Sequence, residues 1–258
     1  MTQLTDKVVI ITGASRGVGA EIAKVFANEG AKVVVNYFQS EEKASAVVKE
    51  IRDAGGQAVV AYGDVTKAED MVAVAKVATD SFGGRIDVLV NNALARYQFN
   101  PASEQASIKT VTWQHFDEQF KGTVSGAVNS VKAVLPAMEE QGYGKIINIG
   151  TNLVYNPVVT YYDYTSSKAA MLGMTRNLAA ELGPKGIRVN LIAGGLLEAT
   201  DASSSTTKEV FGYIANTTPL RKTTTVLDFA KACVFFAAEA SDAVTGQSLS
   251  VDGGLTMP

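Results

Sequence analysis

Short apolar runs alternate with longer amphipathic stretches along almost the whole chain. The runs are rich in Val and Ile and show no polar alternation, which is typical of parallel strands buried on both faces of a sheet. They predict strands at 7–12, 32–37, 58–62, 88–91, 145–149, 188–192 and 248–251. The stretches between them predict helices at 17–29, 41–54, 68–82, 116–138, 164–182 and 226–239. This order predicts an α/β fold, a Rossmann-type doubly wound parallel sheet of about seven strands with helices on both faces.

The composition fits one large hydrophobic core. Of the 258 residues, 47% are hydrophobic and 19% are charged, and no repeat or linker interrupts the pattern, so we expect a single domain spanning 1–258. The net charge of -3 and the lack of a basic block argue against nucleic acid or an anionic membrane as a partner. No apolar run approaches the ~20 residues of a membrane span, and the N-terminus lacks the features of a signal peptide. A cytoplasmic location is therefore expected.

A glycine-rich turn follows the first predicted strand and opens the first predicted helix. It runs from Thr12 to Gly19 and reads TGASRGVG. Glycines permit a tight turn and let a phosphate approach backbone N–H groups at the positive end of a helix. The position of this turn in an alternating chain favours a dinucleotide-binding role over a turn that merely needs glycine.

Tyr164 precedes Lys168 by four residues at the start of a predicted helix, so both side chains should share one helical face. An ammonium close to a phenol favours the phenolate and lowers the phenol's pKa. Such a phenol can donate or accept a proton near neutral pH. The spacing alone leaves open a chance pairing of two unrelated side chains.

Taken together, the glycine turn and the Tyr/Lys pair resemble the short-chain dehydrogenase/reductase family, and the resemblance covers nearly the whole chain. The family's Asp-Val after the third strand matches Asp64-Val65, and its Asn-Asn-Ala after the fourth matches 91–93. The stretches GIRVN at 186–190 and TGQSLSVDGG at 245–254 are also typical. The likeness is greatest to the 3-oxoacyl-[acyl-carrier-protein] reductase branch. It implies hydride transfer between a nicotinamide and a carbonyl, a role in fatty acid biosynthesis, and a homo-oligomer, often a tetramer.

The choice of cofactor has its own signal. Enzymes that prefer NAD commonly end the second strand with an acidic residue, but here no carboxylate occurs before Glu41. Arg16 can place a guanidinium near a 2′-phosphate, so NADP is expected. The resemblance and this reasoning together assign the dinucleotide to Gly13, Ser15, Arg16, Gly17, Val18, Gly19, Asn36, Tyr37, Ser40, Asp64, Val65, Asn91, Ala93, Tyr164, Lys168 and Leu197.

The resemblance also implies the catalytic roles. Tyr164 gives the proton to the carbonyl oxygen, and Lys168 lowers its pKa and holds the nicotinamide ribose. Thr151 stands where the family usually has a Ser that polarises the substrate oxygen, and its hydroxyl offers the same donor and acceptor. Tyr161 lies seven residues before Lys168, a spacing that resembles the enoyl-thioester reductases of the same fold, and is kept as a minor alternative.

Several positions at the nicotinamide end depart from the family pattern. Thr123 replaces a helical Asn that anchors a water relay to the Lys, and it is assigned to the catalytic group with this reservation. Leu94 replaces a Gly, Gly194 replaces a Pro, and a Thr a few residues on is displaced to Thr200. These changes predict an altered pocket. They leave open a second hypothesis, a dinucleotide-binding protein of low or no turnover that acts as a sensor or assembly partner.

Two long connections, near 94–115 and 196–225, follow strand ends and are expected to cover the substrate. The second contains a possible short helix near 209–215. The expected substrate is a carbonyl compound, either a small molecule or bound to a carrier protein. His115 is the only His and has no Cys partner, so no metal site is expected.

Overall fold

The computed structural model describes residues 3–94, 97, 99–100, 102–198, 203 and 206–258. Its strands are β1 (Val8–Ile11), β2 (Lys32–Tyr37), β3 (Gln57–Tyr62), β4 (Val88–Asn91), β5 (Gly144–Thr151), β6 (Ile187–Gly194), β7 (Leu197–Glu198), β8 (Thr224–Thr225) and β9 (Ser248–Val251). Its helices are α1 (Gly17–Asn28), α2 (Glu41–Asp53), α3 (Ala68–Phe82), α4 (Trp113–Phe120), α5 (Gly126–Gln141), α6 (Tyr162–Leu182), α7 (Lys208–Thr217) and α8 (Val226–Ala237).

Seven strands form one parallel sheet in the order β3-β2-β1-β4-β5-β6-β9. The chain reverses its direction of travel across the sheet between β1 and β4. In open α/β sheets, ligands bind at such a switch point, beyond the carboxyl ends of the strands. The glycine turn after β1 and Asn91 at the end of β4 both lie at this edge.

The core lies on both faces of the sheet, as the lack of polar alternation predicts. Val9 and Ile11 face a cluster formed with α1, α2 and α8, whereas Val8 and Ile10 face a cluster formed with α3, α5 and α6. The predicted doubly wound α/β fold is confirmed. The seven predicted strands all occur, with bounds that differ by at most two residues at either end.

One helix prediction is wrong in detail. The expected single helix at 116–138 begins earlier, at Trp113, because Thr112 and His115 form a reciprocal capping box. It is then interrupted by a π-helical turn, Lys121–Ser125, before continuing as α5. Single π turns inside α-helices occur frequently at functional sites. Thr123 lies in this turn.

The long connections carry local structure. In the second, β7 pairs with β8 and α7 lies between them, so the short helix expected near 209–215 is present. The first is attached to the start of α6, as described below. Among the described residues, no helix is long and apolar enough to cross a membrane.

Candidate active site

The glycine turn is closed by buried backbone contacts. Gly13 has a φ of +62°, and Gly17, the first residue of α1, has a φ of +55°, a region that favours glycine. A Cβ on Gly19 would come within 2.5 Å of the Asn92 amide nitrogen and 2.7 Å of the Gly13 carbonyl oxygen. Arg16, the N-cap of α1, makes no side-chain cap hydrogen bond to the helix. The turn therefore places its backbone N–H groups at the positive end of α1.

Thr12 and Asn92 join the ends of β1 and β4. The Thr12 hydroxyl accepts from the N–H groups of Asn92 and Ala93, both at 3.0 Å. The Asn92 amide in turn donates to the carbonyl oxygens of Thr12 (2.9 Å) and Gly13 (3.1 Å). These two residues were absent from our predicted set, although the family motifs contain both, and their side chains hold the ends of the two strands together.

Asn36 supports the glycine turn from the side of β2. Its amide oxygen accepts from the Gly13 N–H at 3.1 Å, and its amide nitrogen donates to the carbonyls of Ala61 (3.2 Å) and Gly63 (3.0 Å). Both N–H donors of the side chain are thus used within the protein. Asn36 was predicted to bind the cofactor, and the structure gives its side chain a supporting role.

The end of β2, next to Asn36, lacks an acidic side chain, as the sequence indicated. Tyr37 is buried with its ring edge-on to Tyr62. The pKa of Tyr37 is raised chiefly by burial and to a lesser extent by the negative charge of Glu41. Ser40 is half-buried and Arg16 is exposed. No carboxylate occupies the end of the strand itself.

Asp64 and Asn91 lie at the ends of β3 and β4. One oxygen of Asp64 accepts from the N–H (3.0 Å) and the hydroxyl (2.8 Å) of Thr66, which fixes its orientation. The amide nitrogen of the buried Asn91 donates to Asn148 at 2.8 Å. The Asn91 side-chain oxygen has no hydrogen-bond partner in the described part of the chain. Buried polar atoms are ordinarily satisfied, so this oxygen is available to a ligand or a water.

Tyr164, Thr151 and Lys168 come together at the carboxyl ends of β5 and β6. Thr151 is the last residue of β5, and Tyr164 and Lys168 lie one turn apart in α6. A hydrogen bond joins the side chains of Thr151 and Tyr164. Tyr164 is 8% exposed and Lys168 is 4% exposed. The structure thus brings together the three residues predicted to carry the chemistry.

The pKa of Tyr164 differs from the sequence-based expectation. Burial raises the pKa of Tyr164 to about 12, and this outweighs the lowering by the hydrogen bond with Thr151. The Lys168 ammonium nitrogen lies 5.9 Å from the centre of the Tyr164 ring and donates to the Ile149 carbonyl at 2.7 Å. Burial lowers the pKa of Lys168 to about 8. Desolvation therefore dominates both groups in this structure.

Thr123 lies beside Lys168 in a small buried cavity. The cavity has a volume of about 10 Å³, and its lining includes Thr12, Asn91, Thr123 and Lys168. The Thr123 hydroxyl, like the Asn91 oxygen, is buried without a partner among the described residues. A cavity of this size holds about one water when it has polar partners. The cavity beside Thr123 and Lys168 is therefore polar and large enough for about one water.

The other departures have structural explanations. The Leu94 side chain packs into an apolar cluster around Tyr164. A Cβ on Gly194 would come within 3.1 Å of the Phe229 ring, and one on Gly195 within 2.8 Å of the Asp252 Cβ, so this corner is crowded. Leu197 is half-buried in β7. Thr200 lies outside the described residues.

Four functional candidates were missed by sequence reasoning, and all of them contact or adjoin Tyr164 or Asn91. Tyr97, Phe99 and Asp163 surround Tyr164, and Asn148 holds Asn91. Asn148 could have been found as a polar residue in an otherwise apolar strand. Nothing in the sequence places Tyr97 and Phe99 against Tyr164, because neither residue lies in a helix or a strand whose position the sequence pattern predicts.

The described residues fit a dinucleotide. A Cβ on Gly13 or Gly19 would collide with the neighbouring part of the chain, so the turn is compact, and the unpartnered Asn91 oxygen lies at the same edge of the sheet. The residues that can hold the adenosine end are in the turn and at the ends of β2, β3 and β4. Groups of three or more His, Cys, Asp or Glu side chains suited to a metal ion were not found within the described residues.

Comparison with known proteins agrees with this arrangement. A family model described as enoyl-(acyl carrier protein) reductase matches residues 13–256. The chain is 35% identical over 257 residues to an uncharacterised oxidoreductase of Methylorubrum extorquens, covering 99% of this chain and 100% of the relative. It is 34% identical over 255 residues to the 3-oxoacyl-[acyl-carrier-protein] reductase of Staphylococcus aureus strain Mu50, covering 97% and 98%.

Solved structures of similar chains share the fold. A 7α-hydroxysteroid dehydrogenase complexed with NADH and 7-oxo glycochenodeoxycholic acid has a TM-score of 0.88 at 36% identity, covering 98% of this chain and 95% of that one. A gluconate 5-dehydrogenase from Burkholderia cenocepacia J2315 in complex with NADP and tartrate has a TM-score of 0.87 at 30% identity, covering 98% and 96%. With its glycine turn, its Tyr/Lys pair and matches over nearly its full length, this chain belongs to the short-chain dehydrogenase/reductase family of oxidoreductases.

Proposed function

We propose that the protein is an NADPH-dependent reductase that converts a carbonyl group, most simply that of a 3-oxoacyl thioester, to an alcohol. The observation that carries the proposal is the hydrogen-bonded pair Thr151–Tyr164 with Lys168 one helical turn away, at the carboxyl edge of the sheet beside the glycine turn. The 3-oxoacyl thioester is favoured by the staphylococcal relative, which is named for that substrate class.

The chain's own residues would act as follows. Thr151 donates a hydrogen bond to the substrate oxygen, and Tyr164 transfers its hydroxyl proton to that oxygen as the alcohol forms. Lys168 holds a positive charge near the phenolate that Tyr164 becomes. The nicotinamide supplies the hydride when it is bound. Burial of all three side chains excludes water and strengthens each electrostatic interaction.

Three features support NADPH over NADH. Arg16 is exposed within the glycine turn, Ser40 follows β2, and β2 ends without a carboxylate. One related structure is a complex with NADP and another is a complex with NADH, so similarity to these proteins does not decide the cofactor. Replacing Arg16 by Ala should raise the KM for NADPH about tenfold or more and leave that for NADH nearly unchanged.

The experiment measures NADPH oxidation with a panel of 3-oxoacyl thioesters, cyclic and small ketones, and enoyl thioesters. The proposal predicts turnover with a ketone that Tyr164→Phe abolishes and Tyr161→Phe largely retains. Turnover of enoyl thioesters that depends on Tyr161 would instead favour the minor alternative, which the description of the matching family model also names. In the structure the Tyr161 ring packs against Tyr97 and Phe99.

One observation supports a second function, that of a dinucleotide-binding protein with low or no turnover. The unpartnered Thr123 hydroxyl beside Lys168 is consistent with a site of low turnover in a dinucleotide sensor or assembly partner. Tight NADPH binding with no turnover across the panel would favour it. High activity gained by Thr123→Asn would show that the site is an attenuated reductase.

The proposal also includes a homo-oligomeric assembly and a role in fatty acid biosynthesis. A homo-oligomer, either a dimer or a tetramer, is supported by the exposed apolar side chains on α4, where Trp113 is 80% exposed and stacks on Phe116. Light scattering would give the mass directly. A role in fatty acid biosynthesis depends on activity with carrier-protein thioesters and falls if only other ketones react.

A further inference from the structure

Part of the connection after β4 covers the ring of Tyr164. Its described residues, namely Leu94, Tyr97, 99–100 and 102–112, are called the roof segment here. The Tyr97 ring stacks on the Tyr164 ring with the centroids 5.3 Å apart and the planes at 25°. Phe99 meets the Tyr164 ring edge-on at 4.9 Å. Two aromatic residues of one loop thus pack against the predicted proton donor.

The roof segment is tied to the chain on both sides of Tyr161. The Tyr97 hydroxyl donates to Asp163 Oδ1 at 3.1 Å, and Asp163 is only 1% exposed. The Thr160 hydroxyl donates to the Ala106 carbonyl at 2.6 Å. A buried carboxylate needs hydrogen-bond partners, and the Tyr97 hydroxyl joins the backbone N–H groups of Asp163 and Tyr164 in this role. These ties hold the two aromatic rings over Tyr164.

The contacts have a consequence for the chemistry. A general acid works only when its proton points at the reacting atom, so the orientation of the Tyr164 ring matters. The Tyr164 ring packs against Tyr97 and Phe99, and its hydroxyl is hydrogen-bonded with Thr151. Desolvation by such neighbours is the largest influence on the ionisation of Tyr164.

We propose that Tyr97 is a positioning residue for the reaction: its ring fixes and desolvates Tyr164, and its hydroxyl anchors the roof segment to Asp163. The proposal rests on the reductase function proposed above. The groups that surround Tyr164 are Thr151 through a hydrogen bond, Lys168 across the ring face, Asp163 as its chain neighbour, and the phenols of Tyr97 and Tyr161. Within the described part of the connection, Tyr97 is the residue that both stacks on the ring and anchors the loop.

The first experiment separates ring from hydroxyl by kinetics. Tyr97→Leu removes both, Tyr97→Phe keeps the ring, and Asp163→Asn keeps an oxygen that accepts from Tyr97. The expected result is a loss in kcat of about tenfold to a hundredfold in Tyr97→Leu, a several-fold loss in Tyr97→Phe and a smaller one in Asp163→Asn. The alkaline limb of the reduction profile should move to lower pH in Tyr97→Leu, because a hydrated Tyr164 loses its proton more easily.

Matched controls come from Tyr143. This half-buried tyrosine directly precedes β5 and so lies at the opposite edge of the sheet. Tyr143→Phe and Tyr143→Leu should change thermal stability without changing the pH profile. A Tyr97→Leu variant that loses stability like Tyr143→Leu yet keeps the wild-type kcat and pH profile would overturn the proposal. A rise in KM alone would equally overturn it, since it would make Tyr97 a substrate contact.

The second experiment needs no turnover and so remains decisive if the proposed substrate class is wrong. Tyrosine labelled with ¹³C at Cζ reports phenol ionisation by NMR, and Tyr164→Phe assigns the signal. The Tyr164 signal of the wild-type protein should stay protonated up to about pH 11, and that of Tyr97→Leu should titrate nearer the ordinary value of about 10. Identical titrations in both proteins would contradict the role of Tyr97, whatever the substrate.

Discussion

Burial moves the ionisation of both Tyr164 and Lys168 toward their neutral forms. From sequence, the lysine was expected to lower the pKa of the tyrosine. In the structure the Lys168 ammonium is engaged by the Ile149 carbonyl, and the desolvation of Tyr164 prevails. At the scale of single residues, the cost to stability at pH 7 therefore falls on the buried Lys168 ammonium, because Tyr164 is uncharged in both the folded and the unfolded chain at that pH.

This cost should be measurable at Lys168. Its pKa is lowered from 10.5 to about 8, so between those values the folded protein binds fewer protons than the unfolded chain and stability rises with pH. At pH 7 the ammonium is present in both states and the folded state bears the full cost. Lys168→Met should raise the free energy of unfolding at pH 7 by up to about 3 kcal/mol, less the lost bond to Ile149.

Denaturant titrations of wild type and Lys168→Met at several pH values test this. The advantage of the variant should shrink steadily between pH 8 and 10.5, where the wild-type lysine loses its proton in the folded state first. A constant difference at every pH would show that Lys168 is not desolvated as described.

At the scale of elements, the glycine turn depends on the ends of three neighbouring strands. Asn36 in β2 holds the Gly13 N–H and the carbonyls of Ala61 and Gly63, and it is 1% exposed. Asn36→Ala should lower stability by about 1–3 kcal/mol, because buried polar groups lose their partners. It should also weaken NADPH binding several-fold, because the turn that we propose to contact the phosphates is no longer held.

The control is Asn177→Ala. Asn177 is an exposed asparagine in α6 whose side chain donates to the Gly173 carbonyl one turn earlier. Calorimetric titration with NADPH and thermal unfolding should both be close to wild type in that variant. If Asn36→Ala were destabilised but bound NADPH with unchanged affinity, the link between strand ends and the turn would be refuted.

The elements themselves could largely be predicted from sequence. Strand and helix bounds follow from hydrophobic runs and periodicity, which are local properties, and family motifs gave the residues at the strand ends. The interruption at Lys121–Ser125 could not be predicted, since a π turn depends on packing against neighbours and has no local pattern. The same reason explains why Tyr97 was missed, and with it the role of its partner Asp163: the connection that carries Tyr97 is positioned by tertiary contacts.

At the scale of the whole molecule, the two edges of the sheet have different roles. The carboxyl edge carries the site, and the opposite edge is closed by Lys145. This lysine is 1% exposed, its ammonium donates to the Ala238 carbonyl and to Ser241 at 2.8 Å, and it pairs with Asp242 at 2.8 Å. Lysines are rarely buried so fully, and a sequence gives no sign that this one is.

Because Lys145 lies about 20 Å along β5 from Thr151, its effect should be on stability alone. Lys145→Met should lower the free energy of unfolding by about 1–3 kcal/mol, since the loss of three polar partners, among them the Asp242 carboxylate, outweighs the desolvation that lowers the pKa of Lys145. The kcat and KM for NADPH should stay within about twofold of wild type, which steady-state kinetics below the unfolding range will check. A large loss of kcat would mean that the two edges are coupled.

The most direct test of the account concerns the proton donor. Tyr164→Phe removes one oxygen from a site whose ring contacts with Tyr97 and Phe99 a phenylalanine preserves. The measurement is the rate of NADPH oxidation with the best ketone of the panel, together with the Kd for NADPH. The account predicts a fall in kcat of about 10²–10⁴-fold, with a Kd for NADPH that rises by no more than the several-fold that one lost cofactor contact would cause. A variant that keeps the wild-type kcat would contradict it.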